Sequence, residues 1–426
     1  MKIHLAYGKD GLDIEVPEKN LTKVLSIDAG HPLEDPGEVV RQSLRQTRGG
    51  PPLAELAERA KTACIVVCDI TRPAPNKIVL PPMLKTLEEH GISPENITIL
   101  IATGLHRPST ADELDLILGE AILQRHTIAQ HDARNRDEHV HFGETAKKTP
   151  VYIDKRYCAS DLKITVGFIE PHLMAGFSGG RKMIAPGCAG EETIKALHSP
   201  LFLDDPRCCE GSLDQNPLHH ELLEVARLAG HDFMSDVSLD ANRNITGVFS
   251  GDPRRAHAAG VEAVRRFVRA TIKRPADIVI TTSAGFPLDL TYYQAIKGMT
   301  AALPVVKKGG TLILAAECAE GLGSDAFKRM ATSFRSSDAF HDWIHQHPVE
   351  IDQWQLQECA KAARHADVVL VSSGIEGEDK KGLFVNSARS VEEAIQKGLQ
   401  KSGSDATIAV IPKGPYTLVE VDPASA

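Results

Sequence analysis

Three apolar runs, Ala63 to Cys68, Asn96 to Ala102 and Leu162 to Val166, constrain this chain most, because each stops at a polar loop punctuated by glycine or proline. A strand that is apolar along its length is buried on both faces, as in a parallel sheet covered by helices. The following segments agree: Asn76 to His90 has a helical pattern, and Thr110 with Glu113 forms a capping-box pair ahead of another helix. In a parallel sheet the carboxyl ends of the strands line one edge. Asp69, Arg72, His106, Arg107, His172 and Lys182, all on the three loops, are therefore predicted to meet there.

The remainder divides the chain in two. Lys2 to Val16 alternates around Gly8-Lys9-Asp10-Gly11 and reads as a hairpin, and Gly37 to Ala60 reads as helical with a break at Gly49-Gly50-Pro51-Pro52. Asn216 to Gly230 is an amphipathic helix, Phe233 to Leu239 a strand, and Pro253 to Thr271 a long helix with arginines on its solvated face. Ile272-Lys273-Arg274-Pro275 then separates this half from a second α/β series, whose strands are Asp277 to Thr281, Thr311 to Ala316, Asp367 to Val371 and Thr407 to Ile411. The expectation is an α/β protein of two domains, 1–272 and 273–426, with mostly parallel sheets and the active site in the cleft between them.

Composition removes several function classes. A formal net charge of -9 without a basic stripe argues against a nucleic-acid binder. Met1 to Val16 mixes Lys2, His4, Lys9, Asp10 and Asp13 with apolar residues, unlike a signal peptide, and no apolar run has membrane-spanning length, so no membrane partner is expected and the cytoplasm is the expected location. The eight cysteines lack paired C-x-x-C spacing, which points to reduced core residues rather than a zinc knuckle or a disulfide framework.

Chemistry concentrates in Gly167 to His198. Its turn Gly176-Phe177-Ser178-Gly179-Gly180 follows a strand, where glycines let backbone N–H groups converge on an anion, so a phosphate is expected at Ser178, Gly179 and Gly180. Arg181-Lys182-Met183 stands where a Walker loop needs Gly-Lys-Ser/Thr, and the turn is no dinucleotide fingerprint. Gly321 to Ala326 has the form G-x-G-x-x-A but no acidic residue ending a following strand, which favours a plain turn. Tyr293 and Lys297, four apart, share one helix face and can grip one group. Singly, each of these residues is also an ordinary polar loop or helix-surface residue.

Five ordered motifs resemble the nickel-pincer-dependent lactate racemases and their 2-hydroxyacid racemase and epimerase relatives. They are Asp69-Ile70-Thr71-Arg72-Pro73, Thr103-Gly104-Leu105-His106-Arg107, the run from Pro171 to Lys182, Leu197-His198-Ser199-Pro200, and Tyr293-Gln294-Ala295-Ile296-Lys297-Gly298. The resemblance implies nickel and a nickel-pincer nucleotide, pyridinium-3-thioamide-5-thiocarboxylic acid mononucleotide, joined covalently to Lys182, with His198 as the protein ligand of nickel and Asp69, Ser178, Gly179 and Gly180 at the cofactor. It implies His106 and His172 as the acid-base pair and Arg72, Tyr293, Gln294 and Lys297 as substrate residues, with Asp69 orienting either Arg72 or the ribose and Trp354 forming an aromatic wall or packing in the core. The implied substrate is a 2-hydroxyacid such as lactate or malate, and the implied partners are cofactor-biosynthesis proteins that mature the enzyme. Imidazoles near their ordinary pKa suit proton exchange at neutral pH, and a cofactor supplying sulfur donors explains why no Cys/His cluster is visible. The competing readings are an NAD-dependent 2-hydroxyacid dehydrogenase and a non-catalytic nucleotide or nickel carrier.

Overall fold

The computed structural model describes residues 1–27, 30–72, 74–240, 242–380 and 382–422, so Pro73 of the first loop motif lies outside the described residues. A six-stranded sheet runs Ile245–Gly251, Phe233–Leu239, Leu162–Phe168, Ala63–Cys68, Ile97–Ala102, Thr127–Gln130 in spatial order. Its neighbours are parallel, except that Ile245–Gly251 returns antiparallel beside Phe233–Leu239. Every residue of Ala63–Cys68 is buried, as its unbroken apolar sequence requires. The three apolar runs are adjacent strands, so their loops emerge side by side. The helix Asn76–Glu89 packs Val79, Leu80, Met83, Leu84 and Leu87 into this core, and Ala111–Leu118 starts with the expected capping box from Thr110 and Glu113.

The second six-stranded sheet is wholly parallel among the described residues: Asn386–Ser387, Asp367–Val371, Val306–Ala315, Ala276–Thr282, Ile408–Ile411, Leu21–Val24. Its last strand corrects the expected division of the chain at residue 272, because residues 1–25 belong with the second sheet. Ile3, Leu5, Ile14 and Val16 of the hairpin Lys2–Leu5/Leu12–Glu15 are buried in one cluster with Ile278, Ile280, Ile408 and Val410 of the second sheet. Leu21–Val24 then extends the edge beside Ile408–Ile411. The long helix ends at Val268, and Arg269–Ile272 forms a parallel pair with Leu418–Val421. On the other face of the second sheet lie Tyr292–Ala302 and Gln353–His365, the helices that face the first domain's loops.

Candidate active site

The loop after Ala63–Cys68 begins with Asp69, whose side chain is only 5% exposed. One carboxylate oxygen accepts from the Thr71 N–H and hydroxyl, and the other accepts from His106 Nδ1 at 2.7 Å. Asp69 therefore orients His106, a third outcome beside the Arg72 and ribose alternatives. With its proton on Nδ1, neutral His106 keeps a lone pair on Nε2. Burial opposes ionisation of Asp69, yet the bonds from His106 and Thr71 and the charge of Arg72 hold its pKa below the ordinary value. Thr103 anchors the His106 loop through its hydroxyl to the His131 carbonyl at 2.6 Å.

His172 has the opposite proton placement. The N–H groups of Met174 and Ala175, each 3.2 Å away, donate to its Nδ1, which places the proton of the neutral ring on Nε2. Burial, and then the charges of Lys182, Arg72 and Lys297, hold this imidazole well below its ordinary pKa. His198 ends the helix Glu191–Leu197 and donates Nδ1–H to the Ile194 carbonyl at 2.8 Å, leaving its Nε2 lone pair available. Burial pushes its pKa down to about 4. Its ring lies 4.8 Å from that of Trp354.

The glycine turn narrows the phosphate expectation. Ser178 N–H donates to the Glu170 carbonyl, the Ser178 hydroxyl bridges the Phe168 carbonyl and the Glu170 N–H, and Gly180 N–H donates to Asp236 at 2.8 Å. Ser178 and Gly179 line the cleft and Gly180 does not. The Ser178 and Gly180 donors are spent on protein acceptors and cannot also cradle a phosphate, and the turn launches the short helix Arg181–Ile184 with Lys182 facing the cleft. Gly179 has φ +80°, and a Cβ there would sit 2.2 Å from Asp236 Oδ2, which explains the glycine. Burial raises the Asp236 carboxyl to about 7, despite the bonds from Gly180 and Gly167.

The second domain supplies the facing wall. Thr291 caps Tyr292–Ala302, which presents Tyr293, Gln294 and Lys297 to the cleft, while Trp354 Nε1 donates to the Tyr293 hydroxyl at 3.1 Å. Trp354 is 8% exposed and lines the cleft while also packing in the core, so the two sequence alternatives hold together. The cleft has a volume of about 800 Å³, within the range of small-molecule sites. Arg72, Lys182 and Lys297 all line it, and among the described residues none makes a side-chain hydrogen bond or ion pair. Burial, with Arg72 and Arg181 close by, holds the Lys182 amine well below its ordinary pKa. The same cause, with Arg72, brings Lys297 down to about 7 against the opposing pull of Glu170. The buried Gln294 Oε1 also lacks a partner. Three basic side chains without partners suit an anionic group, and the unpaired carboxamide oxygen suits a hydroxyl donor beside it.

Arg107, like Gly180, does not join: it forms a two-pronged pair with Glu113 on the surface at 2.6 and 2.7 Å. Thr71 and Thr103 of the first two motifs also line the cleft, and Arg134, Asp352 and Gln355 join them from outside the five motifs. Gly323, Ser324 and Ala326 of the G-x-G-x-x-A segment also line it, but Ser324 is an ordinary cap for Asp325–Ser333, accepting from Phe327 N–H at 3.1 Å.

Fold and site together define an α/β enzyme with a cleft between two sheets that is lined by two imidazoles and several basic side chains. Residues 7–211 match the lactate racemase N-terminal domain and residues 271–419 the lactate racemase C-terminal domain. Lactate racemase of Thermoanaerobacterium thermosaccharolyticum is 35% identical over 422 residues, covering 98% of this chain and 99% of the relative. That of Lactiplantibacillus plantarum is 35% identical over 427 residues, with the same coverage of 98% and 99%. The solved lactate racemase apoprotein from T. thermosaccharolyticum superposes with a TM-score of 0.92 at 33% identity, over 98% of this chain and 100% of that one. A Thermotoga maritima protein of known structure, at TM-score 0.68 and 18% identity over 92% of this chain and 99% of its own, shares the fold. The chain belongs to the lactate racemase family and is an isomerase of the racemase type, which replaces the dehydrogenase and carrier readings.

Proposed function

We propose that the cleft interconverts the two C2 configurations of a short 2-hydroxyacid, with lactate as the first substrate to test and malate as the second. The observation that carries this reading is the grouping of unpaired Arg72 and Lys297 with His106 and His172 in one cleft. Arg72 and Lys297 hold the carboxylate, Arg72 by its planar fork and Lys297 by an ammonium that a bound carboxylate restores. His106 Nε2, backed by Asp69, takes the hydroxyl proton. His172 takes the hydroxyl proton of the other hand at Nε2 once its own proton has moved to Nδ1, and Tyr293 and Gln294 fix the orientation. The names of the curated relatives favour lactate.

The residues present fit a nickel-pincer nucleotide. Lys182 has a buried amine, without a partner among the described residues, whose burial favours the uncharged form an amine needs before acylation, and His198 offers a neutral Nε2 whose ring is fixed by a carbonyl behind it, as metal-bound histidines are. Held there by Lys182 and His198, such a group would supply a hydride acceptor for C2 of the hydroxyacid, so that a 2-ketoacid would lie between the two hands. Maturation by cofactor-biosynthesis proteins in the cytoplasm belongs to the same proposal; among the described residues no helix is long and apolar enough to cross a membrane. The test is intact mass and chiral chromatography on protein matured in a cofactor-producing cell. Wild type should carry an adduct at Lys182 and convert either lactate enantiomer to the mixture, and Lys182→Ala should do neither. Full racemisation by Lys182→Ala would reject the tether.

A further inference from the structure

A second cavity, about 660 Å³, opens between the halves of the chain and is lined by Asp204, His341, Gln357 and Glu358 among others. Asp204 follows the short helix Pro200–Leu203, six positions beyond His198. His341 and His345 stand one turn apart at the end of Ser337–Ile344 in the second domain, with ring centroids 4.7 Å apart. Both Nε2 atoms point at one oxygen, Asp204 Oδ2, His345 at 2.7 Å and His341 at 3.7 Å. The other oxygen is taken by Gln357 Nε2 at 2.7 Å.

We propose that Asp204, His341 and His345 bind one divalent ion of the zinc class and thereby fasten the two domains together at the rim of this cavity. Among the described residues they are the one group of three metal-ligating side chains whose donor atoms lie close together, all within 4.8 Å. Tetrahedral ligands at zinc distances are about 3.4 Å apart, a spacing these side chains reach by small rotations because all three are partly exposed. Two imidazoles and a carboxylate favour zinc or another late first-row ion over calcium or magnesium, and water completes the shell. A simple hydrogen-bonded pair needs only one histidine, and here a second imidazole is aimed at the same oxygen while Gln357 fixes the carboxylate from behind, the arrangement that orients metal ligands. The ion joins the segment carrying His198 to the helix pair carrying Trp354, whose rings already touch across the main cleft.

The test uses the untagged, full-length, cofactor-free chain and zinc chloride alone, by equilibrium dialysis with metal analysis, alongside thermal unfolding. Wild type should take up one zinc per chain and melt at a higher temperature with zinc. His341→Ala, His345→Ala and Asp204→Asn should each weaken zinc binding at least about tenfold, with native circular dichroism and without the thermal gain, whereas His198→Ala should bind zinc as wild type does. Cobalt in place of zinc should quench the fluorescence of Trp343, two residues from each histidine in sequence and on the same helix, and lose that effect in His341→Ala. Unchanged zinc uptake in the three variants, no saturable uptake by wild type, or loss of uptake in His198→Ala would each overturn the proposal.

Discussion

Lys297 and the two cleft histidines make different demands on pH. Lys297, at about 7 in the free protein, is charged below that value and neutral above it. A carboxylate substrate binds the charged form, so kcat/KM for lactate should fall about tenfold per pH unit above the Lys297 pKa, with the loss in KM. Lys297→Arg, which keeps its charge, should flatten that fall, and an unchanged profile would remove Lys297 from the carboxylate. Arg72→Ala should weaken substrate use by ~2 to 5 kcal/mol while leaving the Lys182 adduct in place, as read by kcat/KM beside intact mass. The histidines are unequal because His106 presents a lone pair and His172 a proton. His172 becomes a base at Nε2 only by moving its proton to Nδ1 and giving up the Met174 and Ala175 amides. His172→Ala should therefore still convert one enantiomer to bound 2-ketoacid in a single turnover without forming its mirror image, whereas His106→Ala should stall with that enantiomer. Equal single-turnover behaviour of the two variants would show that the resting tautomers do not matter.

Among the elements, the turn before Lys182 has the least tolerance. Gly179→Ala forces φ +80° on a residue with a Cβ, at about 1 to 2 kcal/mol, and drives that Cβ against Asp236, at about 1 to 3 kcal/mol more. Thermal unfolding should register that loss, and the adduct at Lys182 should fall because the lysine's helix is displaced; a stable, fully loaded variant would contradict this account of the turn. Glycine here was legible from sequence as a special backbone, but its purpose was not. A glycine-rich strand exit suggests an anion cradle until the partners of Ser178 and Gly180 are known, and Asp236, which takes one of those N–H groups, comes from a strand whose sequence does not mark it. The three buried strands and the capped helix after His106 were readable because burial on both faces and helix capping leave local patterns. Leu21–Val24 was not, because four residues at a sheet edge carry no period, and its pairing with Ile408–Ile411 joins opposite ends of the chain.

For the whole molecule, the division of labour between the sheets is what matters. The first brings Asp69, His106, His172, Lys182 and His198 to one edge, and the second sets Tyr293, Gln294, Lys297 and Trp354 opposite. That convergence was legible because loops at strand ends of a parallel sheet must meet, whereas Arg134 and Gln355 enter the cleft through tertiary packing alone. We propose that C2 of the substrate gives up a hydride rather than a proton. The cleft's histidines suit the hydroxyl proton, and a C2 proton carried on either imidazole would exchange with water. The most direct measurement is racemisation of a single enantiomer of C2-deuterated lactate in ordinary water, followed by mass spectrometry of the opposite enantiomer. Retention of deuterium at C2 in that product is the predicted result; its replacement by solvent hydrogen in the first turnovers would contradict the hydride account and make His106 and His172 direct carriers of the C2 proton.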